Sequence, residues 1–113
     1  MNDRIEITQA AGTWVVRAGG AVIAESRNAV KLSEGDLKPV VYFPKADVAM
    51  AFLDASEHRT TCPLKGEARY YDIVSKSTVL QNAVWSYEAP KPEAAGIAGM
   101  LAFDADGVAV EQV

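Results

Sequence analysis

Thr13-Trp14-Val15-Val16-Arg17-Ala18-Gly19-Gly20-Ala21-Val22-Ile23-Ala24-Glu25-Ser26 holds two strand-like runs joined by a glycine pair. A two-residue turn follows the right-handed twist of antiparallel strands only in its primed forms. Those forms need positive φ, which glycine adopts without steric cost. Residues 13–18 and 21–26 therefore predict a β-hairpin. The larger apolar residues point the same way, with 13 Val and 5 Ile against 6 Leu. β-Branched side chains fit a pleated surface and lose rotamer freedom in a helix.

Working outward, residues 29–32 read as a further short strand, and Glu34-Gly35-Asp36 carries turn chemistry. Val40-Val41-Tyr42-Phe43 is an apolar run too short for a helix, stopped by Pro44, and reads as a buried strand. Residues 45–55 are predicted to form one short α-helix. Pro44 precedes it, Asp47 sits in its first turn, and Val48 with Phe52 and Ala49 with Leu53 make i,i+4 pairs. After a polar connector, strands are expected over 68–74 and 78–83 around Ser75-Lys76-Ser77, continued by 84–87. Pro90-Lys91-Pro92-Glu93 breaks the pattern. Residues 100–103 and 108–112 flank Asp104-Ala105-Asp106-Gly107 and predict a second hairpin. Many short strands with one helix imply a mainly β, barrel-like or sandwich domain.

The 113 residues, 12.1 kDa, are one domain's worth of chain, so residues 1–113 are expected to form a single domain. A hydrophobic fraction of 50% with 23% charged residues excludes a disordered or collagen-like chain. Eleven basic against fifteen acidic residues give a net charge of −4, with no run of Lys or Arg, so nucleic acid is not an expected partner. No apolar stretch reaches the ~18 residues that cross a bilayer. The start, Met1-Asn2-Asp3-Arg4-Ile5, lacks the basic and apolar regions of a signal peptide, and a cytoplasmic location is the expectation. One cysteine, Cys62, and one histidine, His58, supply neither an internal disulfide nor a thiolate zinc site, and no metal or cofactor is expected. Hairpin edges in an Ala-rich sequence make a homodimer the expected assembly.

Chemistry concentrates in His58-Arg59-Thr60-Thr61-Cys62-Pro63-Leu64-Lys65-Gly66-Glu67-Ala68-Arg69-Tyr70-Tyr71. Cys62 is a nucleophile if a cation such as Lys65 or His58 lowers its pKa, and otherwise a small buried residue. Lys65 can neutralise a phosphate or carboxylate, or stand as a solvated turn lysine. Gly66 behind it permits close approach by a ligand, or simply completes the turn. Glu34 reads as a base, a ligand anchor or a turn carboxylate. Tyr42, Tyr70, Tyr71, Trp85 and Tyr87 can wall a pocket or fill a core. The chain has no P-loop, dinucleotide fingerprint, His-rich metal motif or nucleophile elbow.

Three ordered blocks carry a family resemblance: Tyr42-Phe43-Pro44 with Asp47-Val48, Thr61-Cys62-Pro63-Leu64-Lys65-Gly66-Glu67-Ala68-Arg69-Tyr70, and Ala83-Val84-Trp85-Ser86-Tyr87-Glu88-Ala89-Pro90. With the closing segments 97–103 and 106–108, the chain from Thr13 onward resembles domain of unknown function family 427. The resemblance implies a mainly β fold, sometimes grouped with the Mss4-like topology, here without its zinc-binding cysteine pairs. It also implies a nucleotidyltransferase-like label, although the Gly-Ser and paired-Asp signature of well-understood nucleotidyltransferases is absent. The polar and aromatic matching positions make the candidate site: Cys62, Lys65 and Glu34 as catalytic candidates, and Tyr42, Thr61, Gly66, Tyr70, Trp85 and Tyr87 as binding candidates. Three functions stay open: an enzyme of transferase type acting on a small anionic or nucleotide-like molecule, a non-catalytic metabolite-binding module, and a structural domain.

Overall fold

A computed structural model describes residues 4–113. Ten strands form three antiparallel sheets among these residues. The first sheet has the order β1 (Ile5–Gln9), β4 (Val30–Glu34), β5 (Val40–Tyr42). The second has β10 (Val108–Gln112), β2 (Trp14–Ala18), β3 (Ala21–Ser26). The third has β6 (Leu53–Cys62), β7 (Gly66–Val74), β8 (Val79–Ser86), β9 (Leu101–Phe103). The mainly β expectation holds, and the sheets do not close into a single barrel.

The opening hairpin forms as its glycines require. Ala18 pairs with Ala21, and Gly19 and Gly20 take φ values of 58° and 78°. The first and third sheets meet where Phe43 bridges Leu101, each donating its N–H to the other's carbonyl at 2.8 and 2.9 Å. That bridge seats Phe43 against Phe103, ring centroids 5.7 Å apart and edge to face, in a core with Val16, Ile23, Ile73 and Val84. A second core gathers Leu32, Tyr42, Ala68, Tyr87, Ala94, Ile97 and Ala102, with the 3-10 segment Pro92–Ile97 contributing two of its members.

Three local expectations are corrected. Residues 45–55 do not form one α-helix: Lys45–Asp47 and Met50–Phe52 are separate 3-10 turns, and Leu53 already belongs to β6. The reason is tertiary competition for the backbone. Val48 is extended at φ −109°, ψ 134°, it bridges Ala24, and the Ala49 N–H donates to the Ile23 carbonyl at 2.8 Å. A helix this short is marginal by itself, so β3 takes the backbone groups it would have used. Asp47 accordingly serves no long helix and accepts the Ser26 hydroxyl at 2.6 Å. The polar connector after residue 55 is also strand, because β6 runs to Cys62 along β7. Finally, the segments around Asp104-Ala105-Asp106-Gly107 do not pair with each other. β9 joins β8 and β10 joins β2, so this turn hands the chain from the third sheet to the second.

Candidate functional site

The β6–β7 hairpin positions the Cys-Pro-Leu-Lys-Gly turn. Cys62 and Gly66 are register partners, and Pro63, Leu64 and Lys65 turn between them. Gly66 has φ +108°, a left-handed value that side chains rarely adopt. The turn is held from outside by residues 89–91. The Lys91 N–H donates to the Lys65 carbonyl at 2.9 Å, and the Lys91 amine donates to the Pro63 carbonyl at 2.6 Å. A Cβ on Gly66 would sit 3.6 to 3.7 Å from this backbone, so the close approach at Gly66 is made by the protein's own chain.

Lys65 reaches across to the first sheet. Its Nζ lies 2.7 Å from Glu34 Oε1, and the two side chains are only 14% and 18% exposed. The same amine stands 5.7 Å from the Tyr87 ring centroid, a distance at which the ring quadrupole attracts a cation. Register explains Glu34's aim: Leu32 faces Val40 and Val30 faces Tyr42, so alternate residues of β4 and β5, Glu34 included, look toward the second core.

Tyr42 is 1% exposed and accepts a hydrogen bond from Trp85 Nε1 at 3.2 Å. Burial pushes its phenol up to about 12, partly offset by that hydrogen bond. Burial also pushes the Tyr87 phenol upward, with smaller contributions from Tyr42 and Cys62. Both phenols are thus fixed in the neutral form at neutral pH. Cys62 is a half-buried free thiol packed on this core with Tyr70 and Trp85. Tyr70 lies 6.3 Å from Trp85 and 4.6 Å from His58, centroid to centroid, and its hydroxyl bonds the Thr60 hydroxyl at 3.0 Å.

On its other side Trp85 lines a groove of about 600 Å³ where the three sheets adjoin. Trp14, Phe103, Val40, Val41, Val108 and Val110 supply apolar walls, and Lys31, Lys38 and Asp104 supply charge. A pocket of a few hundred to a thousand Å³ accommodates a small organic ligand.

A family model described as Domain of unknown function (DUF427) matches residues 6–113. The chain belongs to this family. No curated protein matches it. Within this family 427 domain, the fold brings Glu34, Tyr42, Cys62, Lys65, Tyr70, Trp85 and Tyr87 together around the second core. Thr61 is not part of that group: it pairs with Glu67 and is exposed, one residue out of phase with Cys62. His58 is exposed on β6. Sequence reasoning missed the groove residues Trp14, Lys31, Lys38 and Phe103. One signal existed, the polar Lys31 alternating with Val30 and Leu32, which marks a second, non-core face of β4. Among the described residues, no three His, Cys, Asp or Glu side chains converge as a metal would need, and no helix is long and apolar enough to cross a membrane.

Proposed function

We propose that this domain binds a small ligand combining an aromatic or apolar body with an anionic group, as a nucleotide does. The observation that carries this reading is the groove. Trp14, Trp85 and Phe103 offer stacking and edge contacts, while Lys31 and Lys38 stand at the same cavity with no ion-pair partner among the described residues. Asp104 offers an acceptor for a hydroxyl or amine of the ligand. Behind Trp85, the hydrogen bond to Tyr42 fixes the indole, and the Lys65–Glu34 pair closes that core from outside. In this reading Tyr42, Glu34 and Lys65 position the binding wall. The short name of the family, an abbreviation of NTP transferase, agrees with the ligand class.

Transferase chemistry is the second reading, with Cys62, Lys65 and Glu34 as its residues. It is favoured by one observation: a largely buried Lys–Glu pair and a half-buried thiol border the same core. Homodimerisation belongs to the same proposal, with the long β6 edge as the surface to be covered.

A thermal-shift series with nucleoside mono- and triphosphates tests the binding. A ligand of the native state alone raises stability by about 2.7 kcal/mol at a hundredfold excess over Kd. The shift should vanish in the Lys31→Ala, Lys38→Ala double variant. A shift unchanged in that variant contradicts the groove. Pyrophosphate release from a nucleoside triphosphate, lost in Lys65→Ala, would favour the transferase reading over pure binding.

A further inference from the structure

The β6–β7–β8 sheet carries a second, polar concavity, of about 250 Å³, that shares no residue with the groove. Arg59, Arg69 and Ser86 occupy one continuous cross-strand row, because Arg59 pairs with Arg69 and Arg69 with Ser86. Two guanidinium side chains directly opposite each other repel, a cost that a neighbouring carboxylate or a bound anion offsets. Ser86 is only 2% exposed, and its hydroxyl has no hydrogen-bond partner. Arg69 Nε is likewise buried without a partner. Buried polar atoms in native proteins are nearly always paired, so two unpaired donors in adjacent register positions at one concavity are available to an acceptor.

The remaining contacts define what that acceptor is. Arg69 meets Glu88 at 3.5 Å through a terminal nitrogen, with Glu88 about half exposed, and its guanidinium lies 5.0 Å from the Tyr71 ring centroid. Arg59 uses one terminal nitrogen on the Ser56 and His58 carbonyls, at 3.0 and 2.8 Å. Neither guanidinium makes a two-pronged carboxylate contact, so each retains donors in the fork geometry that suits an oxyanion. Glu67 and Glu88 also line the concavity and balance the two arginines in charge, so an anion there depends on the unpaired donors and not on net positive charge.

We propose that Arg59, Arg69 and Ser86 form an oxyanion-binding site for a phosphate or carboxylate group, separate from the groove. One oxygen of the anion accepts from Arg69 Nε and the Ser86 hydroxyl, and the others face the two guanidinium forks.

The test is a nuclear magnetic resonance titration of the full chain with inorganic phosphate and, separately, with acetate at low ionic strength. Saturable shifts at the amides of Arg59, Arg69 and Ser86 are expected with at least one of the two probes, and the tighter probe identifies the oxyanion. Ser86→Ala should weaken that binding about tenfold, since a hydrogen bond to a charged group is lost. Arg69→Lys, which keeps the charge and removes the Nε donor, should weaken it at least as much. If Arg69→Lys fails to fold, Ser86→Ala decides alone. Shifts that grow linearly with either anion, or that appear in equal measure in Ser86→Ala, overturn the proposal. So does a Ser86→Ala variant that loses stability with no anion binding in the parent, the behaviour of a water bridged between the two unpaired donors.

Discussion

Ser26 and Ser86 are the two buried serines among the described residues, 3% and 2% exposed, and their surroundings differ completely. Ser26 donates to Asp47 at 2.6 Å and accepts the Asn28 N–H at 2.9 Å, closing the loop after β3 onto the turn that replaces the expected helix. The Ser86 hydroxyl makes no hydrogen bond, and the residue lines a concavity with two arginines. The ion pairs divide in the same way. Lys65–Glu34 is short and largely shielded, whereas Arg69–Glu88 is long and half open to water. The satisfied polar groups join segments remote in sequence, and the unpaired ones are those on which the proposed anion site rests.

The ion pairs offer the largest way to break that contrast. Glu34→Ala leaves the Lys65 amine shielded without a counter-charge and should cost about 2 to 3 kcal/mol, somewhat less than breaking a fully buried pair because both side chains keep some exposure. Glu88→Ala should change stability by less than about 0.5 kcal/mol, as for a solvent-exposed pair. Urea unfolding at pH 7 reads both. Equal losses would mean that the two pairs play the same part.

Alkaline pH probes the shielded side again. A phenol whose folded-state pKa lies above its unfolded value binds its proton more tightly in the native state. The stability it contributes is complete below the unfolded value of 10.0 and is lost as the pH rises toward about 12. Native stability should therefore fall from pH 10 upward by about 2 kcal/mol for Tyr42, with Tyr87 adding to the fall. Tyr42→Phe should flatten that decline. An identical pH profile in the variant would show that the Tyr42 phenol ionises freely.

The serines give the smallest effects and the sharpest contrast. Ser26→Ala strands Asp47 and the Asn28 N–H and should cost about 1 to 2 kcal/mol. Ser86→Ala removes an unpaired buried hydroxyl and should leave the melting temperature unchanged or slightly raised. The reverse order would show that Ser86, not Ser26, holds the fold.

Local chemistry made part of this structure legible in advance. The Gly19-Gly20 hairpin is written in two adjacent residues, and the strands either side of Ser75-Lys76-Ser77 depend on a turn and on alternation. Where the backbone's partner is remote, pattern misleads. Residues 45–55 carry helical spacing, but Val48 belongs to Ala24, and the Asp104–Gly107 turn looks like a hairpin whose strands in fact find β8 and β2. The candidate site divides likewise. The three sequence blocks mark the residues around Tyr42, and Glu34 meets Lys65 across 31 positions of chain. The groove is assembled from six separate strands and the approach to β5, which no single stretch displays. Arg59 and Arg69 were within reach of the sequence. They lie at equal distances from the centre of the Cys62-to-Gly66 turn, so reading that turn as a hairpin places them opposite each other.

The chain has two tryptophans, and both line the groove. Their indole N–H signals are therefore direct reporters: Trp85 donates to Tyr42 and Trp14 to the Ala11 carbonyl at 3.1 Å. In a titration with a nucleoside monophosphate, both signals should shift saturably, and the shifts should persist in Ser86→Ala. Indole signals that stay in place while the ligand is raised to millimolar concentration would contradict the assignment of the groove as the binding site.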